Sequence, residues 1–217
     1  ADDGAGHAGQ AAEDDHRRHD SEEAVDESLA QHLEAGELLP RHALAPGDEG
    51  YEELRVQWFD RYQSNMAVES ELFEGIDALL QGIEDAGMAW GVVTNKPARF
   101  TDPLIPQIGL AHAGCIVSGD TTPHSKPHPE PLLEGARRLG IAPEHCWYVG
   151  DDLRDIEAGR AAGMITVACA WGYCGAVEPL SWGADYLVES PLDLLRAIQA
   201  VAASPALPSN ISGARKL

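Results

Sequence analysis

Long apolar runs are missing from this 217-residue chain. None approaches the ~18 consecutive residues that a membrane-spanning helix needs, so no membrane span is expected. Positive charge is also scarce. Lys and Arg total 15 against 36 Asp and Glu, a formal charge of −21. A surface of that sign repels nucleic acid and anionic bilayers, and neither is expected as a partner. A small anionic molecule stays compatible if a bound cation and a few basic side chains reverse the potential locally. Only four cysteines occur, Cys115, Cys146, Cys169 and Cys174, with no CxxC pair to hold zinc. Most lie in or beside apolar runs, as reduced, buried thiols in a reducing cytoplasm do. Ala1 to Gln10 has no apolar core and no basic flank, and does not read as a signal peptide. Without a secretory signal, the Asn210-Ile211-Ser212 match to the glycosylation pattern is expected to be chance.

Aromatic residues are absent from positions 1–45, where Val, Leu, Ile, Met and Phe together number six. The same stretch holds twelve Asp or Glu and five of the nine histidines. So little apolar surface predicts a disordered or loosely held segment, with one narrow helical stripe at Val25, Leu29 and Leu33. His16, His19 and Asp20 could form a metal site there, but a solvated polar tail is the plainer reading.

Beyond residue 50 the pattern changes. Tyr51, Leu54, Arg55, Trp58, Phe59 and Tyr62 share one helical face, and Leu72, Phe73, Ile76, Leu79, Leu80 and Ile83 share another. Short apolar runs then alternate with helical stretches. The runs are Trp90 to Val93, Cys115 to Val117, Cys146 to Val149, Ile165 to Ala170 and Tyr186 to Val188. The helical stretches include Pro131 to Leu139, Asp152 to Ala162 and Leu192 to Val201. This alternation predicts an α/β fold, a Rossmann-like parallel sheet with helices on both faces. Residues 46–70 are expected to form a partial helical cap, 71–203 the core, and 204–217 a disordered tail.

Ligands of parallel α/β sheets bind beyond the carboxyl ends of the strands, and three such ends here carry polar groups. Gly91-Val92-Val93 leads into Thr94, Asn95 and Lys96. Ser125-Lys126-Pro127-His128-Pro129 holds a lysine in a proline-bounded turn. Trp147-Tyr148-Val149 leads into Gly150, Asp151, Asp152 and then Asp155. Singly, these read as a turn, a solvated loop and a helix N-cap. Together they suit phosphoryl transfer, which must neutralise a dianion with cations and hydrogen-bond donors. Thr94 offers a hydroxyl and an N–H, Lys126 a point charge, and Asp151 a hard oxygen suited to Mg²⁺. Asp152 could cap the following helix, and Asp155 could join the metal shell.

In this order the three strings resemble the second, third and fourth motifs of the haloacid dehalogenase superfamily. Ile156-Glu157-Ala158-Gly159-Arg160-Ala161-Ala162-Gly163-Met164 is similar to the small-residue helix of its phosphoglycolate-phosphatase-like members. Thr94-Asn95-Lys96-Pro97 and Ala170-Trp171-Gly172-Tyr173 look most like the bacterial N-acetylmuramic acid 6-phosphate phosphatases. The resemblance implies a Mg²⁺-dependent phosphatase acting on a small phosphorylated metabolite by way of a phospho-aspartate. By position, Thr94 and Lys126 are its catalytic residues and Thr94, Asn95 and Lys126 bind substrate. Asp151, Asp152 and Asp155 hold the metal.

Such enzymes begin with an apolar strand ending in Asp-x-Asp-Gly-Thr, which lies at the centre of the sheet and supplies the nucleophile. Nothing here matches it. Ala1-Asp2-Asp3-Gly4-Ala5 is nearest, and it puts Ala1 at the nucleophile position with no strand before it. A sheet without that strand is expected to leave two neighbours with unpaired backbone groups. The sequence then supports a truncated or frame-shifted enzyme that is inactive in this form, a poorly folding relic, or a non-catalytic phosphate-binding protein completed by another chain.

Overall fold

The computed structural model describes residues 48–66, 68, 70–175, 177–202 and 214–216. The expectations for residues 1–45 therefore lie outside the described residues. In chain order, the larger elements are α1 (Tyr51–Asn65), α2 (Ile76–Asp85), β1 (Val92–Val93), α3 (Ala98–Gln107), β2 (Ile116–Val117) and α4 (Glu130–Leu139). They continue with β3 (Trp147–Gly150), α5 (Leu153–Ala161), β4 (Ile165–Cys169), β5 (Tyr186–Val188), α6 (Pro191–Ala202) and β6 (Ala214–Lys216). The expected α/β class is what the chain adopts, with parallel pairing throughout apart from β6.

Two local features depart from the sequence reading. The apolar stripe suggested a helix from Leu72, but α2 starts at Ile76, because Gly75 takes a left-handed conformation at φ 89° just before it. Helix α3 was not anticipated, since Pro103 and Pro106 lie inside it and read as breakers. Burial outweighs the lost donors: Phe100 and Ile105 are buried, and the Thr101 hydroxyl donates to the Lys96 and Pro97 carbonyls at 3.0 and 3.1 Å. Helix α1 packs on α3 through Phe59, Met66 and Phe100, with the Tyr62 ring edge-on to Phe100.

The strands form two sheets. One is the pair β1–β2, and the other has the order β3–β4–β5–β6. The tail expected to be disordered contributes β6, which pairs antiparallel with β5 through Leu187 and Arg215. An edge strand needs only backbone groups to pair, so its polar sequence carried little signal. Leu79 of α2, Val167 of β4, Val188 of β5 and Leu194 and Ile198 of α6 make the main core under the larger sheet. On the opposite face, Ile156 of α5 packs with Ala168, Leu187 and Trp182. Helices therefore cover both faces.

No strand among the described residues joins β1 to β3. Between them lies an apolar cleft of about 800 Å³, lined by Trp90 to Val93 on one side and Trp147 to Val149 on the other. The Val92 and Thr94 N–H groups donate to β2, so by alternation the backbone groups of Gly91 and Val93 face the cleft. On β3, the Cys146 carbonyl accepts from Ile165 of β4, which leaves Trp147 and Val149 facing the cleft from the other side.

Candidate functional site

The carboxyl ends of β1 and β3 meet the loop before α4. There, Asn95, Lys126, Asp151, Asp152 and Asp155 line a cavity of about 210 Å³ together with Arg154 and Tyr173. Five of the six residues singled out from sequence are thus brought together. Thr94 stands next to Asn95 at the end of β1 but does not line this cavity. Its Oγ1 accepts the Lys96 N–H at 3.1 Å, and its own N–H donates to Val117 at 2.9 Å.

Lys126 is held from several directions. Its backbone is clamped by Asn95, whose Nδ2 donates to the Lys126 carbonyl at 2.9 Å while its Oδ1 accepts the Lys126 N–H at 3.0 Å. Its Nζ lies 2.7 Å from Asp155 Oδ1 and donates to the Val93 carbonyl at 3.1 Å and to the Tyr148 hydroxyl at 3.0 Å. The side chains of Lys126 and Asp155 are only 11% and 9% exposed, so this ion pair is shielded from water. Burial alone would push the Lys126 pKa down. The attraction of Tyr148 and Asp155, with their hydrogen bonds, outweighs it and holds the pKa above the ordinary lysine range. The amine is thus kept charged.

Tyr148 was not singled out from the sequence as a site residue. It occupies the middle of an apolar strand, which reads as core, and the only available signal was its hydroxyl two residues from Gly150. Burial pushes its pKa up to about 12, against the pull of Lys126 and with the repulsion of Asp155. Both groups therefore hold their protons more tightly when folded than in the unfolded chain. Their contribution is complete below pH ~10 and is lost as pH rises through the folded-state values. Stability should therefore fall from this source as pH rises from about 9 to about 12. Urea titrations across that range should show a shallower fall in Tyr148→Phe. An unchanged slope would assign the loss to other groups.

The aspartates divide their work. Asp152 caps α5 by accepting the Arg154 N–H at 2.8 Å, and Arg154 Nη2 lies 2.9 Å from its Oδ2. The Arg154 guanidinium holds the Asp152 carboxyl below the usual range, against the effect of burial. Asp155 faces Lys126. Asp151 Oδ2 accepts the Tyr173 N–H at 2.8 Å from the loop after β4. Gly172 makes this approach possible, since a Cβ there would lie 2.2 Å from Asp151 Oδ2. Three hard carboxylates around one small cavity fit Mg²⁺, and Asp151 is the least committed of them to neighbouring cations. Among the described residues, no helix is long and apolar enough to cross a membrane.

Residues 26–169 match the family model described as haloacid dehalogenase-like hydrolase. An N-acetylmuramic acid 6-phosphate phosphatase of Pseudomonas putida is 42% identical over 181 residues, covering 81% of each chain. A phosphoglycolate phosphatase of Xanthomonas campestris is 47% identical over 145 residues, and the match spans 66% of this chain and 66% of that relative. Among solved structures, one titled a predicted phosphoglycolate phosphatase from Haemophilus somnus 129pt superposes with a TM-score of 0.65 at 26% identity, covering 81% of this chain and 74% of that one. The matched region contains the ends of β1 and β3 and the Lys126 loop between them, and on that ground the chain belongs to the haloacid dehalogenase-like hydrolase family.

Proposed function

We propose that this chain carries the phosphate- and metal-handling half of a Mg²⁺-dependent phosphomonoesterase for a small sugar phosphate or phosphoglycolate. The observation that carries the reading is Lys126, buried, charged and fixed at the strand ends beside Asp151, Asp152 and Asp155. Lys126 supplies a cation next to the incoming phosphoryl group, and Asn95 fixes the loop that presents it. Thr94 Oγ1 accepts the Lys96 N–H, which leaves its hydroxyl proton to donate to a phosphoryl oxygen. Asp151, supported by Asp155, holds Mg²⁺, and Asp152 shapes the metal shell from the helix cap. Bound Mg²⁺ supplies further neutralisation of the phosphoryl charge. Helix α1 acts as part of a cap, since its Tyr62 hydroxyl meets Lys96 Nζ at 2.6 Å beside the site. Relatives named for N-acetylmuramic acid 6-phosphate and phosphoglycolate support a small phosphorylated acid as substrate. The four free thiols suit a reducing, cytoplasmic setting.

A second reading, a phosphate-binding protein without turnover, draws on the apolar cleft that the described residues leave open between β1 and β3. One pair of measurements separates the two. The full chain, fused at its N-terminus to an apolar strand ending in Asp-x-Asp-Gly-Thr, is assayed for phosphate release from phosphoglycolate and N-acetylmuramic acid 6-phosphate with Mg²⁺. The unfused chain is titrated calorimetrically with inorganic phosphate and Mg²⁺. Turnover by the fusion is the expected result. Binding heat with no turnover favours the second reading, and neither heat nor turnover overturns both.

A further inference from the structure

The loop that presents Lys126 carries a second group of metal-ligating side chains that the phosphatase reading does not use. His124, His128 and Glu130 each offer one ligand atom, and these atoms all lie within 4.8 Å of one another. Glu130 Oε2 is the hub: His124 Nδ1 is 2.7 Å from it and His128 Nδ1 is 3.9 Å from it. The two imidazole rings stack at 4.3 Å between centroids, tilted by 26°. All three side chains reach solvent, so an ion could enter without the fold opening.

We propose that His124, His128 and Glu130 form a site for a zinc-class divalent ion, separate from the Asp151 cavity. Three arguments carry it. Ligands bound at ~2.0–2.2 Å in a tetrahedral shell stand about 3.3 Å apart, and the 2.7 and 3.9 Å separations bracket that value. The Glu130 carboxylate is thus within an ångström of the spacing to each ring, and the two imidazole ligand atoms, within 4.8 Å of each other, close the rest by side-chain rotation. The donor set also selects the ion. Two imidazole nitrogens with one carboxylate suit Zn²⁺, Co²⁺ or Ni²⁺, whereas Mg²⁺ prefers oxygens alone.

The third argument is preorganisation. Pro123, Pro127 and Pro129 punctuate the loop and restrict its backbone, and Pro131 follows in the first turn of α4. The His128 N–H donates to the Ser125 carbonyl at 3.0 Å, and the Thr122 hydroxyl donates to the His124 carbonyl at 2.7 Å. The histidines are therefore held facing one another before any ion arrives, which lowers the ordering cost of binding. The ion replaces two contacts, the His124–Glu130 hydrogen bond and the Glu130 N–H donated to His128 Nδ1 at 3.2 Å. A fourth position stays open to water.

The test is a calorimetric titration of Zn²⁺ into the full chain with Mg²⁺ in excess, alongside the same titration of H124A/H128A and of E130Q. Wild type is expected to take one more equivalent of Zn²⁺ than the double variant. E130Q should weaken that equivalent at least tenfold. Co²⁺ in place of Zn²⁺ should give visible d–d absorption that falls in the double variant. Far-UV circular dichroism checks that the variants fold, and H124N serves as a milder replacement should the double variant fail. Equal Zn²⁺ stoichiometry in wild type and variants overturns the site, whatever the histidines elsewhere in the chain bind.

Discussion

Replacing Lys126 with methionine is expected to lower the unfolding free energy by about 3–5 kcal/mol, the usual cost of removing one partner from a buried ion pair. The side chains match in length, so packing changes little and the electrostatic loss is isolated. Asp155 would stay buried facing the Tyr148 hydroxyl at 3.5 Å, a weak substitute for an ammonium at 2.7 Å. The Val93 carbonyl would lose its 3.1 Å donor as well. In K126M/D155L no charge is stranded, and most of the loss should return. Urea unfolding of wild type, the single variant and the double variant measures this directly. A single-variant loss below about 1 kcal/mol, the range of exposed pairs, would mean that water screens the pair and that Lys126 is not held as described.

That ion pair also shows what the sequence could and could not reveal. Lys126 and Asp155 were legible individually, Lys126 from its proline-bounded turn and Asp155 from its place at a helix start beyond a strand end, where α/β proteins hold ligand-binding groups. Their pairing was not, since 29 positions separate Lys126 from Asp155 and no local pattern links them. Tyr148 was hidden for a different reason: an aromatic in an apolar strand looks like core, and its hydroxyl acquires a role only through its neighbours. Strands β1 to β5 were placed to within a residue or two because short apolar runs are a strong signal, whereas β6 carried none. Helix α3 escaped because Pro103 and Pro106 outvote its helix formers locally, while the burial of Phe100 that sustains it is a tertiary fact. Of His124, His128 and Glu130, only His128 stood in a quoted string, since a turn that brings the three together cannot be read from spacing alone.

Adding an apolar strand ahead of Ala1 should raise stability by about 3–6 kcal/mol, apart from any effect on catalysis. Its side chains would fill the cleft of about 800 Å³ between β1 and β3, and burying roughly four of them yields ~1.5–3 kcal/mol each. New ladder hydrogen bonds add about 1 kcal/mol apiece. Ordering about five residues costs ~1–2 kcal/mol each and offsets much of that gain. The strand must also displace contacts that now bridge the mouth of the cleft, where the Val93 carbonyl accepts from Lys126 at 3.1 Å and from the Tyr148 hydroxyl at 3.4 Å. Lys126 Nζ is thereby freed to face the carboxylate at the end of the new strand. Hydrogen exchange gives the sharpest readout. The amides of Gly91, Val93, Trp147 and Val149 face the cleft and should gain protection, whereas those of Val92 and Thr94 already donate to β2 and should change less. A fusion of equal composition with proline at its centre cannot pair and serves as the control. Equal stability and equal protection in the two fusions would mean that the cleft does not accept a strand.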